Sequence, residues 1–303
     1  MLTRAATHEA DEFSRAAVVE LAPAKINLAL HVVGQRPDGY HLLESVVTFA
    51  DIGDRLALSP SAEDSFGLSG PFSASLRADA GNLVVRAREM LRSWLQEHGQ
   101  DAPPVAIHLE KNLPVASGIG GGSADAAAVL KGLAQLWDDK ITDREMAALA
   151  LALGADVPMC FAGIPSLARG IGEDLLPLPD LPSLHLVLGN PLRSVSTPEI
   201  FARLACKQNP PIGNISGDGW ISLLPHLRND LQAPASALVP EIGDLSELIA
   251  GEGALLTRMS GSGATCFGIF SSRGAADEAA ERLRALRPNW YFQPTTTISG
   301  APA

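Results

Sequence analysis

Leu113-Pro114-Val115-Ala116-Ser117-Gly118-Ile119-Gly120-Gly121-Gly122-Ser123 is the stretch on which the fold reading turns. Glycine fills four of the five positions from 118 to 122. Glycine reaches positive φ without strain and carries no side chain, so successive backbone N–H groups can converge on an anion. The stretch lies between Val105–Leu109, which reads as a strand, and the Ala/Leu-rich run from Ser123 to Trp137, which reads as a helix. A helix N-terminus adds unpaired amides and the positive end of its dipole. Ser123 is predicted as the N-cap, with a hydroxyl that could instead face a phosphate or a magnesium ion. The loop lacks the Gly-Lys-Ser/Thr of a Walker A motif. Counted from Gly118, the sixth position of a dinucleotide fingerprint is Ser123 where glycine is needed. Phosphate binding is the favoured reading, and a tight strand–helix connection is the plain one.

N-terminal to this stretch, Val18–Leu21 and Ile26–Val33 read as two strands, followed by a turn at Arg36-Pro37-Asp38-Gly39 and a strand from Leu43 to Phe49. Residues up to about Glu20 are otherwise a polar lead-in. Helices are predicted over Asn82–Gln96 and Asp143–Leu153, the latter stopping at Gly154. Residues 164–182 hold four prolines and two glycines, which reads as a crossing between two lobes. Beyond it, strands are expected at His185–Leu188, Ala254–Met259 and Ala264–Phe270. Helices are expected at Pro198–Leu204, Leu245–Ala250 and Ala275–Leu286. The mixture lacks regular βα alternation, so the class is α+β. The expected domains are residues 1–165 and 166–303.

The 303 residues include 46% hydrophobic and 19% charged side chains, an ordinary globular balance. Lys plus Arg number 23 against 34 Asp plus Glu, giving a net charge of -11 that repels a phosphate backbone, so no nucleic-acid partner is expected. Cys160, Cys206 and Cys266 are odd in number and widely spaced, which fits a reducing compartment. Glu9, Asp11 and Glu12 fall where a signal peptide needs apolar residues. The apolar run from Met146 to Ala155 is too short to span a bilayer. A cytoplasmic protein without a membrane partner is expected, as a monomer or weak dimer.

Lys25 lies in the apolar segment Ala22-Pro23-Ala24-Lys25-Ile26-Asn27-Leu28, and Asp156 lies in Leu153-Gly154-Ala155-Asp156-Val157-Pro158. Lys and Asp are rarely buried without a partner, so either each is a surface charge at an element edge, or the two form a structural ion pair, or they share chemistry. Phosphoryl transfer offers such chemistry. A carboxylate accepts the alcohol proton, and a lysine beside it stabilises the developing negative charge.

These segments together resemble the GHMP kinases. The resemblance is carried by Pro23–Leu28, by Gly34-Gln35-Arg36-Pro37-Asp38-Gly39-Tyr40-His41, by Pro114–Asp125, by Leu153–Pro158 and by Met259-Ser260-Gly261-Ser262-Gly263-Ala264-Thr265. The Gly-Tyr-His segment is similar to the branch of the family that acts on a cytidine diphosphate-linked methylerythritol. The resemblance implies a two-lobe α+β fold with the active site in the cleft between lobes. It implies a small-molecule kinase that uses ATP and magnesium to phosphorylate the polyol's 2-hydroxyl, in non-mevalonate isoprenoid precursor synthesis. Asp156 would be the base and Lys25 its catalytic partner. Lys111, Pro114, Val115, Ala116, Ser117, Gly118, Ile119, Gly120, Gly121, Gly122, Ser123 and Ala124 would hold ATP. Asn27, Tyr40, His41, Thr197, Phe201, Gly261, Ser262 and Gly263 would hold the substrate, with Tyr40 and Phe201 stacking on cytosine and His41 hydrogen-bonding to it. The acidic magnesium ligand of some other GHMP kinases has no match here, so the resemblance implies a metal held largely by phosphates, water and Ser123, and the second serine that often follows the glycines is Ala124. The competing readings are a kinase for mevalonate or homoserine, a nucleotide-binding regulator without turnover, and, more distantly, a Rossmann oxidoreductase.

Overall fold

Val18–Gln35 forms one strand, β1, where the sequence suggested two. Residues 24–32 are buried on both faces, which erases the alternation that a half-buried strand would show. Pro23 sits within the strand and marks no break. β1 pairs with β2, His41–Pro60, which runs well past the predicted end at Phe49. Between them Arg36–Gly39 turns as expected, with the Gly39 N–H donating to Arg36 O and Gly39 at φ 94°.

The computed structural model describes residues 12–138, 140–213 and 219–300. The lead-in expected before Glu20 lies outside the described residues as far as residue 11, and strand begins at Val18. The chain folds as two compact units. The first takes the described residues up to Pro23, Gly53–Val115 and Gly121–Phe161. The second takes Ala24–Ile52, Ala116–Gly120 and the described residues from Ala162 onward. The division is interleaved, where the sequence suggested one cut after residue 165.

In the first unit the latter half of β2 pairs antiparallel with β4, Val105–Glu110, and β4 pairs parallel with β3, Ser65–Ser69. Helices α1 (Leu83–Glu97), α2 (Gly121–Trp137) and α3 (Asp143–Leu153) pack on one another. Asn82 caps α1 by accepting from Val84 N, and Thr142 and Glu145 close a capping box at α3. A short helix α4, Val157–Ala162, follows.

In the second unit the first half of β2 pairs with β5, Ser166–Gly170, which turns into β6, Asp174–Pro177. This hairpin occupies what the sequence suggested was a lobe crossing. Pro165, Pro179 and Pro182 flank its strands, and Gly170 and Gly172 supply positive φ for the turn between them. A second, fully antiparallel sheet has the order β10-β7-β9-β8, from Tyr291–Thr296, His185–Asn190, Cys266–Phe270 and Leu256–Met259. Helices α7 (Glu241–Gly251) and α8 (Arg273–Leu286) cover it, burying Leu245, Ile249, Ala276, Ala280 and Leu283. Two smaller helices, α5 (Thr197–Ala202) and α6 (Gln232–Leu238), pack together beside this core.

Arg258 on β8 is buried and has carbonyl partners rather than a carboxylate. Its guanidinium donates to Leu28 O at 2.5 Å, Leu224 O at 2.9 Å and Leu227 O at 2.5 Å. It thus ties β1 to the helical turn at Leu224–His226. Burial lowers its pKa to about 10, which still leaves it charged at neutral pH. Arg258→Met would strand three buried carbonyl oxygens. Loss of about 3 kcal/mol in urea unfolding is expected, and a loss under about 1 kcal/mol would mean that the carbonyls find other donors.

Candidate active site

The glycine-rich loop is built differently along its length. Its central part, Ala116–Gly120, belongs to the second unit and is docked there on the loop 260–265. Thr265 N donates to Ser117 O at 3.0 Å, and Ser260 Oγ donates to Gly118 O at 3.1 Å. A Cβ on Gly118 would lie 2.5 Å from Ser260 O and 2.7 Å from Gly263 N. One on Gly261 would lie 2.6 Å from Gly118 O. At Gly118 and Gly261 backbone meets backbone with no room for a side chain, so close packing by itself requires glycine at both. Asn229 steadies the second loop by donating to Met259 O and Gly261 O.

β1 is fastened to both loops through its backbone. Lys25 N donates to Ile119 O at 2.9 Å, and Asn27 N donates to Ser260 Oγ at 3.0 Å. Lys25 is buried, and its stem lies along Gly120, where a Cβ would come 3.1 Å from Lys25 Cβ. Asn27 donates from Nδ2 to Ser45 Oγ at 2.8 Å, and that hydroxyl in turn donates to Ala29 O at 2.6 Å; Asn27 keeps its side-chain carbonyl oxygen free of both bonds. Its Oδ1 is buried with no hydrogen-bond partner among the described residues, an acceptor held in reserve. Asp156, in the first unit, is half-buried and immediately precedes α4, its carbonyl accepting from Cys160 N.

The last part of the loop belongs to the first unit and is already helix. α2 begins at Gly121, so Ser123 lies inside the first turn instead of capping it. The first turn carries no acidic side chain, Gly122 is exposed, and Ser123 and Gly121 are half-buried. An anion fits that end of the helix by charge and by space. Among the described residues no cluster of three His, Cys, Asp or Glu could hold a metal ion.

Lys111 does not present a solvent-facing ammonium. It is buried, with Nζ 2.5 Å from Asp54 Oδ2 and 2.6 Å from Asp125 Oδ2. Burial alone would lower its pKa, but the two carboxylates outweigh that and raise it. Burial also pushes the Asp125 carboxyl up, to about 8, with Lys111 opposing and Asp54 reinforcing the rise. Asp54 and Asp125 were not singled out from the sequence. Asp54 follows Gly53 in what looks like a turn, although Gly53 is in fact mid-strand, where a Cβ would meet Ala22 O at 2.2 Å. For Asp125 a signal existed: one acid among Ala124, Ala126, Ala127 and Ala128 on a helix buried at all these positions.

In the second unit, α5 brings Thr197 and Phe201 onto one face, one turn apart. Thr197 Oγ1 and Ser262 Oγ share a hydrogen bond of 2.7 Å. Phe201 stacks on His41, ring centroids 4.5 Å apart and planes inclined by 25°. The structure thus brings together His41 with Phe201 and Thr197 with Ser262. Tyr40 stands open to solvent, 58% exposed. His41 Nε2 is buried without a hydrogen-bond partner among the described residues. Desolvation, then the Lys207 charge, lowers the His41 pKa below its ordinary value, so the ring is neutral at physiological pH and can both donate and accept.

Residues 82–164 match the family described as "GHMP kinases N terminal domain", and residues 204–289 match "GHMP kinases C terminal". A protein of Agrobacterium fabrum named 4-diphosphocytidyl-2-C-methyl-D-erythritol kinase is 61% identical over 287 residues, covering 92% of this chain and 96% of the relative. One of the same name from Rhizobium etli strain CIAT 652 is 58% identical, covering 93% and 96%. A crystal structure of 4-(cytidine 5'-diphospho)-2C-methyl-D-erythritol kinase superposes with a TM-score of 0.77 at 32% identity, covering 92% of this chain and 99% of that one. Among the described residues no helix is long and apolar enough to cross a membrane.

Removing the Lys207 charge is expected to raise the His41 midpoint toward 6.5. Proton NMR titration of wild type and Lys207→Gln checks this, and an unmoved midpoint would remove Lys207 as a cause.

Proposed function

The chain belongs to the 4-diphosphocytidyl-2-C-methyl-D-erythritol kinases, and from that premise we propose the following assignment of its site. The enzyme transfers the γ-phosphoryl group of ATP to the 2-hydroxyl of 4-diphosphocytidyl-2-C-methyl-D-erythritol. The single observation that carries the substrate is the pair His41–Phe201, with the buried, unpartnered Nε2 of a neutral histidine next to an aromatic face. That combination suits a pyrimidine: the ring stacks, and the amide–amine edge finds a group able to donate and accept. Base–aromatic stacking contributes about 1–3 kcal/mol. Tyr40, exposed beside His41, supplies a second face. In the present arrangement His41 covers one face of Phe201, so cytosine takes the other face or turns the imidazole aside.

ATP places its triphosphate on the loop from Pro114 to Ala124, where the α2 N-terminus meets the negative charge. Lys111 stands on that side, behind the loop. Magnesium, when bound, neutralises charge on the phosphate oxygens, and Ser123 is the hydroxyl that would reach it. Asp156 takes the proton of the 2-hydroxyl as its oxygen bonds to the γ-phosphorus. The bond from that phosphorus to the β–γ bridging oxygen breaks, and ADP leaves with the electron pair. Lys25 polarises the attacking oxygen. Asn27, whose Oδ1 is an unused acceptor, orients the polyol, and Thr197, Gly261, Ser262 and Gly263 border it. Residues 1–165 carry the ATP loop, and residues 166–303 supply the rest of the substrate site that Asn27, Tyr40 and His41 begin. The three free cysteines fit work in the reducing cytoplasm, as a monomer or weak dimer.

Mevalonate and homoserine kinases share the fold, but their substrates carry a carboxylate and no base. They would call for a cationic anchor where this chain has Tyr40 and His41. Purified protein with magnesium-ATP should release ADP with the cytidine-linked polyol and with neither mevalonate nor homoserine. Asp156→Ala should lower kcat by at least about a hundredfold. Turnover with either acid instead would overturn the substrate, and full activity in Asp156→Ala would overturn the base.

A further inference from the structure

Lys111, Asp54 and Asp125 are nearly inaccessible, with side-chain exposures of 2%, 0% and 4%. They join three separate elements: the end of β4, the middle of β2 and the first turns of α2. Asp54 uses both oxygens. Oδ2 holds the Lys111 ammonium, while Oδ1 accepts from Asn112 N at 2.6 Å and Leu113 N at 2.8 Å. Those two amides are the entry into the glycine-rich loop. Asp125 holds the same ammonium at 2.6 Å from the other side, and it lies two residues beyond Ser123 at the loop's exit. The entry and the exit of the loop, both in the first unit, are therefore fastened to one cation. The ammonium lies directly behind the exit, because a Cβ on Gly121 would come 3.1 Å from Lys111 Nζ.

A buried group of this kind is an expensive way to stabilise a fold, since apolar side chains of the same volume usually do as well or better. What charges provide is a fixed geometry: a short, directional tie that tolerates little displacement of the backbone it holds. We infer that Lys111, Asp54 and Asp125 are positioning residues for the nucleotide, which set the span of the glycine-rich loop and touch no ligand themselves. Lys111 acts on ATP indirectly: through Asp54 it fixes the backbone at Asn112 and Leu113, whose amides Asp54 Oδ1 holds, and through Asp125 it fixes the α2 N-terminus. The inference rests on the loop being the triphosphate site.

The test compares full-length wild type with Asp54→Asn, Lys111→Met, the double variant Asp54→Asn/Lys111→Met, and Gly120→Ala, which strains the loop at φ 68°. Each is measured for KM of ATP, KM of the cytidine-linked polyol, kcat, affinity for ADP by calorimetry, and thermal midpoint. The positioning role requires Asp54→Asn and Lys111→Met to raise KM for ATP and weaken ADP at least tenfold. KM for the polyol should stay within about twofold of wild type. The double variant removes the Asp54–Lys111 charge pair and leaves Asp125 to take up a proton, since burial already raises its pKa to about 8. It recovers thermal stability relative to Lys111→Met while its ATP affinity stays low. Where Lys111→Met alone fails to fold, the double variant decides. Recovered stability with recovered ATP affinity would overturn the inference, as would losses confined to the amount of folded protein. Normal ATP affinity in the triad variants with weakened ATP in Gly120→Ala would sink the triad's role and leave the loop standing. Normal affinity in all of them would remove the loop as the nucleotide site.

Discussion

Two loops approach each other so closely that only glycine can stand at the contact, and β1 is stitched to both. Gly118 and Gly261 meet backbone to backbone, Ser260 donates to Gly118 O, and Thr265 N reaches Ser117 O. Lys25 and Asn27 then hang from those loops by their own amides. Lys25 is therefore placed by a main-chain hydrogen bond and Asn27 by its amide to the Ser260 hydroxyl, so the placement depends on the glycines that lack Cβ and on Ser260. Side-chain rotamers add the last adjustment: the lysine stem lies along Gly120, and the asparagine amide is turned by Ser45. A site fixed in this way is rigid at its base, which suits a reaction in which positioning and charge stabilisation supply most of the rate.

The same loop takes on two duties that its sequence does not separate. Residues 116–120 serve packing in the second unit, while 121–124 open a helix in the first. Read as a string, four glycines in five positions point to anion binding at every one of them. In the structure Gly118 is constrained by Ser260 and Gly263, whereas Gly122 faces open space apart from Leu83 Cδ1 at 3.5 Å.

Much of the fold was legible because local signals agreed with tertiary demands. Asn82, Thr142 and Ser272 cap the helices that follow them, and α3 spans the predicted Asp143–Leu153. What escaped had weak local marks. β3 and β10 are short strands without clean alternation, and the β5–β6 hairpin hides among prolines that in fact bracket it. The one strand through Pro23 was split because its interior is buried on both faces. At the site, glycines and the Gly-Tyr-His segment could be read directly. The Lys111–Asp54–Asp125 group could not, since it depends on residues 57 positions apart meeting inside the protein. Likewise nothing in the spacing of Tyr40, His41 and Phe201 says that the imidazole, and not the phenol, lies against the phenylalanine.

Arg258 carries a consequence of a different kind. The chain bears a net charge of -11, and most of its exposed ion pairs sit where dissolved salt can screen them. The Arg258 guanidinium is bound by three carbonyl dipoles in a buried pocket, with no carboxylate for a salt ion to replace. The tie between β1 and β8 is thus indifferent to ionic strength, while repulsion among the surface carboxylates weakens as ionic strength rises. On the strand that carries Lys25 and Asn27, this contact therefore offers dissolved ions no charged partner to compete for.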